Sequence, residues 1–128
     1  TERSDPKVEL AQTDCRNIGI KAPVRSSGDT KGTPGVTLRG PNGTLTVPEG
    51  VMIADRHIHM TPAQAAAFGL ADGDRVKVKI DGPKPGVMGG VLIRANDKCA
   101  LDFHIDTDDG NAFLLKQGQL VTVLGKEE

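Results

Sequence analysis

The sequence predicts an all-β protein with short helices and a β-barrel architecture. Roughly seven short stretches are apolar or alternate between apolar and polar residues, which is typical of strands. Sixteen glycines and eight prolines in 128 residues suit many turns between short strands, and only brief segments favour helix. Many short strands of this kind indicate a closed or nearly closed barrel.

The N-terminal part carries weaker signals than the rest of the chain. Lys7–Ala11 alternates between polar and apolar residues, as a half-buried strand does, and Thr13–Asn17 can form one short turn of helix. A long loop rich in glycine, proline and serine follows over residues 23–35. Because loops of this length are seldom idle inside a small domain, we expect it to be functional or to connect two parts of the chain.

A hairpin and a long strand are predicted next. Val36–Arg39 and Thr44–Val47 flank residues 40–43, whose Asn-Gly pair is a strong turn signal. Val51–His59 is then predicted to form one continuous strand.

A short helix is predicted directly after that strand. Thr61 can cap it, Pro62 suits its first position, and Gln64 can complete a capping box. Ala63–Phe68 favours helix, and Gly69 is placed to end it.

The C-terminal half is predicted to consist of four more strands and a second short helix. The strands are expected at Arg75–Ile80, Val87–Ala95, Ala100–Ile105 and Gln119–Leu124. The pair Gly89 and Gly90 is expected to form a bulge. Asp108 or Thr107 can cap the helix, which should run through Ala112–Lys116.

Composition narrows the class of protein. The net charge is −1, with acidic and basic residues interspersed, so there is no general electrostatic footprint for nucleic acid. No apolar run reaches the ~20 residues that span a bilayer. Aromatic residues make up 2% of the chain, so the core must be aliphatic. Cys15 and Cys99 are isolated, which favours free thiols packed in the core of a reduced, intracellular protein.

Three histidines carry the candidate chemistry. His57 and His59 alternate on one predicted strand and therefore share a face, and His104 lies on another. Folding can bring them together as a three-ligand metal pocket, although such pairs also occur on ordinary strands. A carboxylate is the expected companion, from one of four candidates: Glu9, Asp55, Asp102 and Asp106. Neither a nucleophile elbow nor a phosphate loop is present.

Five stretches resemble the phosphate propanoyltransferase family (PduL-type phosphotransacylases) of bacterial microcompartments. They are Ile18–Arg25, Ser27–Asp29, Gly32–Gly35, Arg56–Pro62 and His104–Asp108. The resemblance runs over essentially the whole chain, and the combination of these stretches is far more specific than any one of them.

The resemblance implies two β-barrels, two zinc ions in the complete protein, and transfer of a short acyl group between coenzyme A and inorganic phosphate. It makes residues 1–35 the remainder of a first barrel with its connecting loop, and residues 36–128 a second barrel. The implied zinc ligands are Glu9, His57, His59 and His104. Arg3 is implied to face the phosphate as a catalytic residue, and His104 and Asn111 to lie near coenzyme A.

The same resemblance implies location in a bacterial microcompartment, with shell or lumen proteins and a second copy of the chain as partners. Relatives carry an earlier His-x-His pair for the other zinc, which this sequence lacks, so we expect the chain to be a portion of a longer protein. The alternative is a non-catalytic double-psi β-barrel module, because Gly69–Val78 resembles the turn of such ligand-binding domains.

Overall fold

The structure is a computed structural model and describes residues 6–127. Within this range the chain is mainly β, as predicted, with ten strands and three short helices. The first strands and helix are β1 (Val8–Glu9), α1 (Gln12–Ile18), β2 (Val24–Arg25), β3 (Val36–Gly40), β4 (Gly43–Val47) and β5 (Val51–Ala54). The remaining elements are β6 (His57–Met60), α2 (Pro62–Ala67), β7 (Arg75–Ile80), β8 (Gly86–Ala95), β9 (Asp102–His104), α3 (Thr107–Ala112) and β10 (Thr122–Lys126).

The chain divides into two compact units, the first ending at Asp55 and the second beginning at Arg56. The two barrels expected from the family resemblance, with residues 1–35 in the first and 36–128 in the second, stay a prediction. Strand β5 is the middle strand of the first unit's sheet and pairs in parallel with β1 and β2. Middle strands of parallel sheets are covered on both faces. Accordingly, three consecutive residues of β5, Val51–Ile53, are buried.

The predicted hairpin forms within the first unit. Strands β3 and β4 pair antiparallel from Val36 opposite Val47 to Gly40 opposite Gly43, with a two-residue turn between them. The boundaries match the sequence prediction to within one residue, because the turn signal and the alternation of side chains are both local.

The second unit is built on a five-stranded sheet with the order β10-β7-β8-β6-β9. Strand β7 alternates between exposed and buried residues along its whole length, as the sequence predicts. One face of the sheet packs into an aliphatic core, with α2 contributing to it. The buried members are Ile58, Met60, Ala65, Leu70, Val76, Val78, Ile80, Met88, Val91 and Ile93.

The prediction of one continuous strand over Val51–His59 is wrong. The strand is interrupted at Asp55 and Arg56, where the chain leaves one sheet and enters another. The Asp55 N–H donates to the Arg25 carbonyl in the first unit, whereas the Arg56 carbonyl accepts from the Leu92 N–H in the second. The sequence does not reveal this break, because the new pairing partners, Arg25 and Leu92, are remote along the chain.

Helix α2 confirms the predicted capping box. The Gln64 N–H donates to Thr61 Oγ1 over 3.2 Å, and the Thr61 N–H donates to the Gln64 side chain over 2.9 Å. Pro62 occupies the first position, and Gly69 follows the end of the helix in the left-handed conformation, with φ of 71°. The observed ends of this helix agree with the prediction because helix capping depends on neighbouring residues alone.

The prediction for the second helix of this unit is wrong in its start and its cap. Helix α3 begins at Thr107, and its cap is Asp106, whose carboxylate accepts from the Asp109 N–H over 2.8 Å. It ends at Ala112. Several consecutive residues here have side chains that can cap a helix. The position at which β9 ends determines which of them becomes the cap.

The bulge predicted at Gly89 and Gly90 is confirmed. The pairing of β7 with β8 shifts register between Val76 and Val78, and Gly90 has φ of 64°, a conformation that glycine adopts at little cost. Pairing between β9 and β10, which would close this sheet, is not observed within residues 6–127, so the closed barrel stays a prediction. Over that same range, each helix is too short to cross a lipid bilayer.

Replacing Thr61 by alanine should lower the free energy of unfolding by about 1 kcal/mol, because the substitution leaves an N–H of the first turn without its acceptor. Urea unfolding of the metal-free protein, followed by circular dichroism, measures this loss. Thr107→Ala is the matched control, since Thr107 also lies at a helix start but is not the cap. It should cost about 0.5 kcal/mol or less. Equal losses in the two variants would contradict the capping assignment.

Candidate metal centre

The three histidines come together on one face of the second unit's sheet. Strand β6 pairs antiparallel with β9, so that His57 lies opposite His104 and His59 lies opposite Asp102. Since alternate residues of a strand share a face, His57 and His59 project away from the core, into which Ile58 and Met60 are packed. The predicted convergence of these imidazoles is therefore present in the structure.

The imidazole rings form a compact cluster. The rings of His57 and His104 are stacked, with centroids 4.9 Å apart and planes inclined by 10°. The ring of His59 stands edge-on to both, with centroids 4.7 Å away in each case. One ring nitrogen from each histidine lies within 4.8 Å of those of the other two.

The environment of His59 favours its neutral form. Burial lowers the pKa of this imidazole, and the neighbouring His57, His104 and Arg94 side chains lower it further, while Asp102 acts in the opposite direction. His57 is the most buried of the three, at 7% exposure. Because a metal ion binds the unprotonated nitrogen, the lowered pKa of His59 leaves this ring ready to coordinate at neutral pH.

The donor set fits a transition-metal ion. Two nitrogens bound to one tetrahedral zinc lie about 3.3 Å apart, given zinc–nitrogen bonds of about 2.0–2.1 Å. The separations in the cluster exceed this by about 1.5 Å at most, a gap that small rotations of the side chains can close. Three imidazoles leave at least one coordination position open, which is the arrangement of catalytic rather than structural zinc sites.

The four carboxylates expected as companions belong to different parts of the chain. Asp102 contacts the cluster, with a carboxylate oxygen 3.2 Å from Nε2 of His104, but the side chains of His104 and Asp102 are 46% and 65% exposed and their attraction is screened. Asp106 caps α3, and burial raises its pKa. Asp55 ends the first unit. Glu9 also belongs to that unit, where its carboxylate accepts from Lys7 Nζ and from the Ser27 hydroxyl, both at 2.7 Å.

Cys99 is a neighbour of the cluster that the sequence did not reveal. Both cysteines are free, as expected, and Cys15 is buried in the first unit. Cys99, however, is only half-buried, and its sulphur lies 3.3 Å from Nδ1 of His59. The two residues are 40 positions apart, and the pairing of β6 with both β8 and β9 brings the loop between those strands alongside His59.

Of the residues expected to contact substrate, the structure describes Asn111 but not Arg3. Asn111 lies on the exposed side of α3, which follows His104 after two residues. Helix α3 is fixed to the start of β6, because the Asp109 carboxylate accepts from Arg56 Nε and Nη2 over 3.0 and 2.8 Å. Arg3 lies outside the described residues, and its contact with phosphate stays a prediction.

The sequence is similar to a family of known proteins. Residues 1–116 match the phosphate propanoyltransferase family. The phosphate propanoyltransferase of Thermotoga maritima is 46% identical over 123 residues, covering 95% of this chain and 59% of the relative. That of Alkaliphilus metalliredigens is 45% identical over 116 residues, covering 91% of this chain and 55% of the relative.

The match to a third relative covers a similar length of the chain. The phosphate propanoyltransferase of Rhodopseudomonas palustris is 43% identical over 124 residues, covering 97% of this chain and 55% of the relative. The chain thus spans 55–59% of the length of these curated relatives. The match covers nearly the whole sequence and includes the histidine cluster, and the chain belongs to the phosphate propanoyltransferase family.

Proposed function

We propose that the protein is a zinc-dependent phosphotransacylase, which transfers a short acyl group, propanoyl or acetyl, between coenzyme A and inorganic phosphate. The observation that carries this proposal is the cluster of His57, His59 and His104. Three imidazoles with an open side suit catalytic metal chemistry, and the family to which the chain belongs supports the acyl transfer.

The protein's own residues prepare the site in two ways. The sheet holds the imidazoles on one face, while Ile58 and Met60 anchor β6 in the aliphatic core on the other. Partial burial keeps His59 neutral, so no proton has to be removed from it at neutral pH before a metal binds. When bound, zinc supplies a Lewis acid that orients phosphate and stabilises negative charge developing on the thioester carbonyl oxygen.

The proposed reaction is a direct displacement. A phosphate oxygen forms a bond to the thioester carbonyl carbon, the carbon–sulphur bond breaks, and coenzyme A leaves as a thiolate that then takes up a proton. Acyl phosphate and free coenzyme A are the products. Arg3 is proposed to orient phosphate, since a guanidinium matches its oxygens in a planar, two-pronged geometry. Glu9 is proposed as the acidic ligand from the first unit.

Helix α3 is proposed to present coenzyme A to the metal site. His104 and Asn111 lie on either side of the start of this helix and are the residues proposed to contact the cofactor. Arg56 directly precedes His57, and its paired hydrogen bonds to Asp109 connect the helix to the strand that carries the imidazoles. A third bond from the same guanidinium, to the Gly89 carbonyl over 3.1 Å, fixes the arginine to β8.

Other properties are proposed for the complete protein from family membership. They are two β-barrels, a second zinc ion, self-association, contact with shell or lumen proteins, and location in a bacterial microcompartment. The chain covers 55–59% of its relatives' length, so these features concern more than the residues described here.

Metal analysis is the first test of the proposal. The purified protein should bind about one zinc ion per chain at the three histidines, and His57→Ala or His104→Ala should weaken binding more than about 100-fold, beyond the effect of losing an outer-shell partner. Isothermal titration against a competing chelator measures this. Asn111→Ala is the control and should leave zinc affinity unchanged. A protein that binds no zinc would favour the ligand-binding module instead.

Kinetic measurements should distinguish the role of the metal-binding histidines from that of the residue proposed to contact coenzyme A. In the full-length protein, His57→Ala should reduce the rate of acyl phosphate formation by at least about 100-fold, because the metal that stabilises the oxyanion is lost. Asn111→Ala should instead raise the KM for acyl-CoA while kcat changes little, since the residue contributes binding of a remote part of the substrate. Near-normal turnover of His57→Ala, measured by release of the free coenzyme A thiol, would overturn the proposed mechanism.

The link between α3 and β6 can be tested with an isosteric change. Asp109→Asn removes the charge from a paired, partly buried interaction and should lower the free energy of unfolding by about 1–2 kcal/mol. It should also raise the KM for acyl-CoA. Asp108→Asn, on the same turn, is the control for loss of a negative charge near the helix start. If both variants behave alike in urea unfolding and in kinetics, the Arg56–Asp109 pair does not hold the helix in place.

A further inference from the structure

Cys99 occupies a distinctive position next to one of the three imidazoles. Its sulphur is 3.3 Å from Nδ1 of His59, within hydrogen-bonding range for sulphur. The nitrogens of an imidazole lie on opposite sides of the ring, so engagement of Nδ1 by Cys99 leaves Nε2 as the nitrogen of His59 available to a metal. Metal-binding histidines commonly donate the hydrogen of their second nitrogen to an outer partner, usually a carboxylate, a backbone carbonyl or water.

The loop that carries Cys99 is attached to the strand that carries His59. The Asn96 N–H donates to the Met60 carbonyl over 2.9 Å, directly after His59. Two further bonds close the turn: the Cys99 N–H donates to the Asn96 carbonyl over 3.0 Å, and the Lys98 N–H donates to the Asn96 side chain over 2.8 Å. The contact between sulphur and imidazole is therefore held by backbone hydrogen bonds as well as by the two side chains.

A second outer partner in the cluster, Asp102, is more exposed to water than Cys99. Asp102 lies 3.2 Å from Nε2 of His104, but the two side chains are 65% and 46% exposed, so water competes for the contact. Cys99 and His59 are each half-buried. Sulphur is a weak acceptor, yet in a sheltered position a weak bond can still decide which of two nearly equal tautomers is populated.

We propose that Cys99 is a positioning residue for the metal site: its sulphur accepts the Nδ1 hydrogen of His59 and holds this imidazole in the tautomer whose Nε2 lone pair is available to a metal shared with His57 and His104. The proposal rests on the proposed function, since it assumes that the histidines bind a metal. It assigns Cys99 no bond to the metal and no nucleophilic role.

Zinc affinity and histidine tautomers together test this role in the full protein. Cys99→Ala should weaken zinc binding by about 10- to 100-fold, the range typical of lost outer-shell partners. Cys99→Ser should restore most of the affinity, because a hydroxyl oxygen also accepts. Lys98→Ala is the matched control from the same loop, since only its backbone contributes to the turn. Thermal unfolding of each metal-free variant verifies that it folds.

Nitrogen-15 spectra of the histidine side chains report the tautomer of His59 directly. If Cys99 only supported the fold, replacing it would leave this tautomer unchanged. In the metal-free wild type, the His59 signals, assigned from a His59→Gln variant, should show the hydrogen on Nδ1. In Cys99→Ala the population should shift towards the tautomer with the hydrogen on Nε2, which is the usual preference of a free imidazole. Cys99→Ser should retain the wild-type pattern.

The results of these experiments distinguish failure of the positioning role of Cys99 from failure of the proposed metal-dependent function. If wild type and Cys99→Ala bind zinc equally and show the same tautomer, the positioning role is overturned and the phosphotransacylase proposal stands. If the wild type binds no metal at its histidines, both fall. If the cobalt-loaded protein shows a thiolate-to-cobalt charge-transfer band that Cys99→Ala lacks, Cys99 is itself a ligand, and that result also overturns the positioning role.

Discussion

The pairing of β6 with β9 is the interaction on which the candidate site depends. It places His104 directly opposite His57, although the two residues are distant in sequence, and it leaves His59 beside the end of the β8–β9 loop. A shift of register by one residue would turn the side chains of one strand to the opposite face and separate the imidazoles. Strand β6 resists such a shift because β8 pairs with its other edge, from His57 opposite Leu92 to Met60 opposite Ala95.

The two faces of β6 have different tasks. Ile58 and Met60 are buried in the aliphatic core and supply the apolar burial that stabilises the sheet. His57 is almost as buried, yet a confined imidazole gains little from burial and must find partners for its polar atoms. Three imidazoles gathered on one face of a sheet, where apolar side chains would bury more apolar surface, are typical of a functional site.

Local features of the fold could be predicted from sequence, and features that depend on distant pairing could not. The capping box of Thr61 and Gln64 and the alternation of β7 involve neighbouring residues, so the pattern alone contains the information. The interruption after Asp55 is different, because it marks a change of sheet. It is decided by Arg25 and Leu92, residues remote in sequence that supply the new backbone partners.

The same distinction holds for the candidate site. The residue types and the His-x-His spacing identified the three imidazoles, since alternation places two of them on one face of any strand. Their approach to His104 needed the register of β9, and the proximity of Cys99 to His59 needed the turn that Asn96 closes. Cys99 therefore read as an ordinary core cysteine. The roles of Arg3 and Glu9 rest on the family resemblance, because Arg3 lies outside the described residues and Glu9 belongs to the first unit.

Strand β9 explains why the site needs attachments outside the sheet. It has only three residues and stands at one end of the strand order, so it gains few ladder hydrogen bonds of its own. Short end strands open locally more readily than central ones. Both ends of β9 are nevertheless secured to β6, by the loop of Asn96 and Cys99 on one side and by the Asp109–Arg56 pair of α3 on the other. His104 is thus held near its partners by contacts on either side of its own strand.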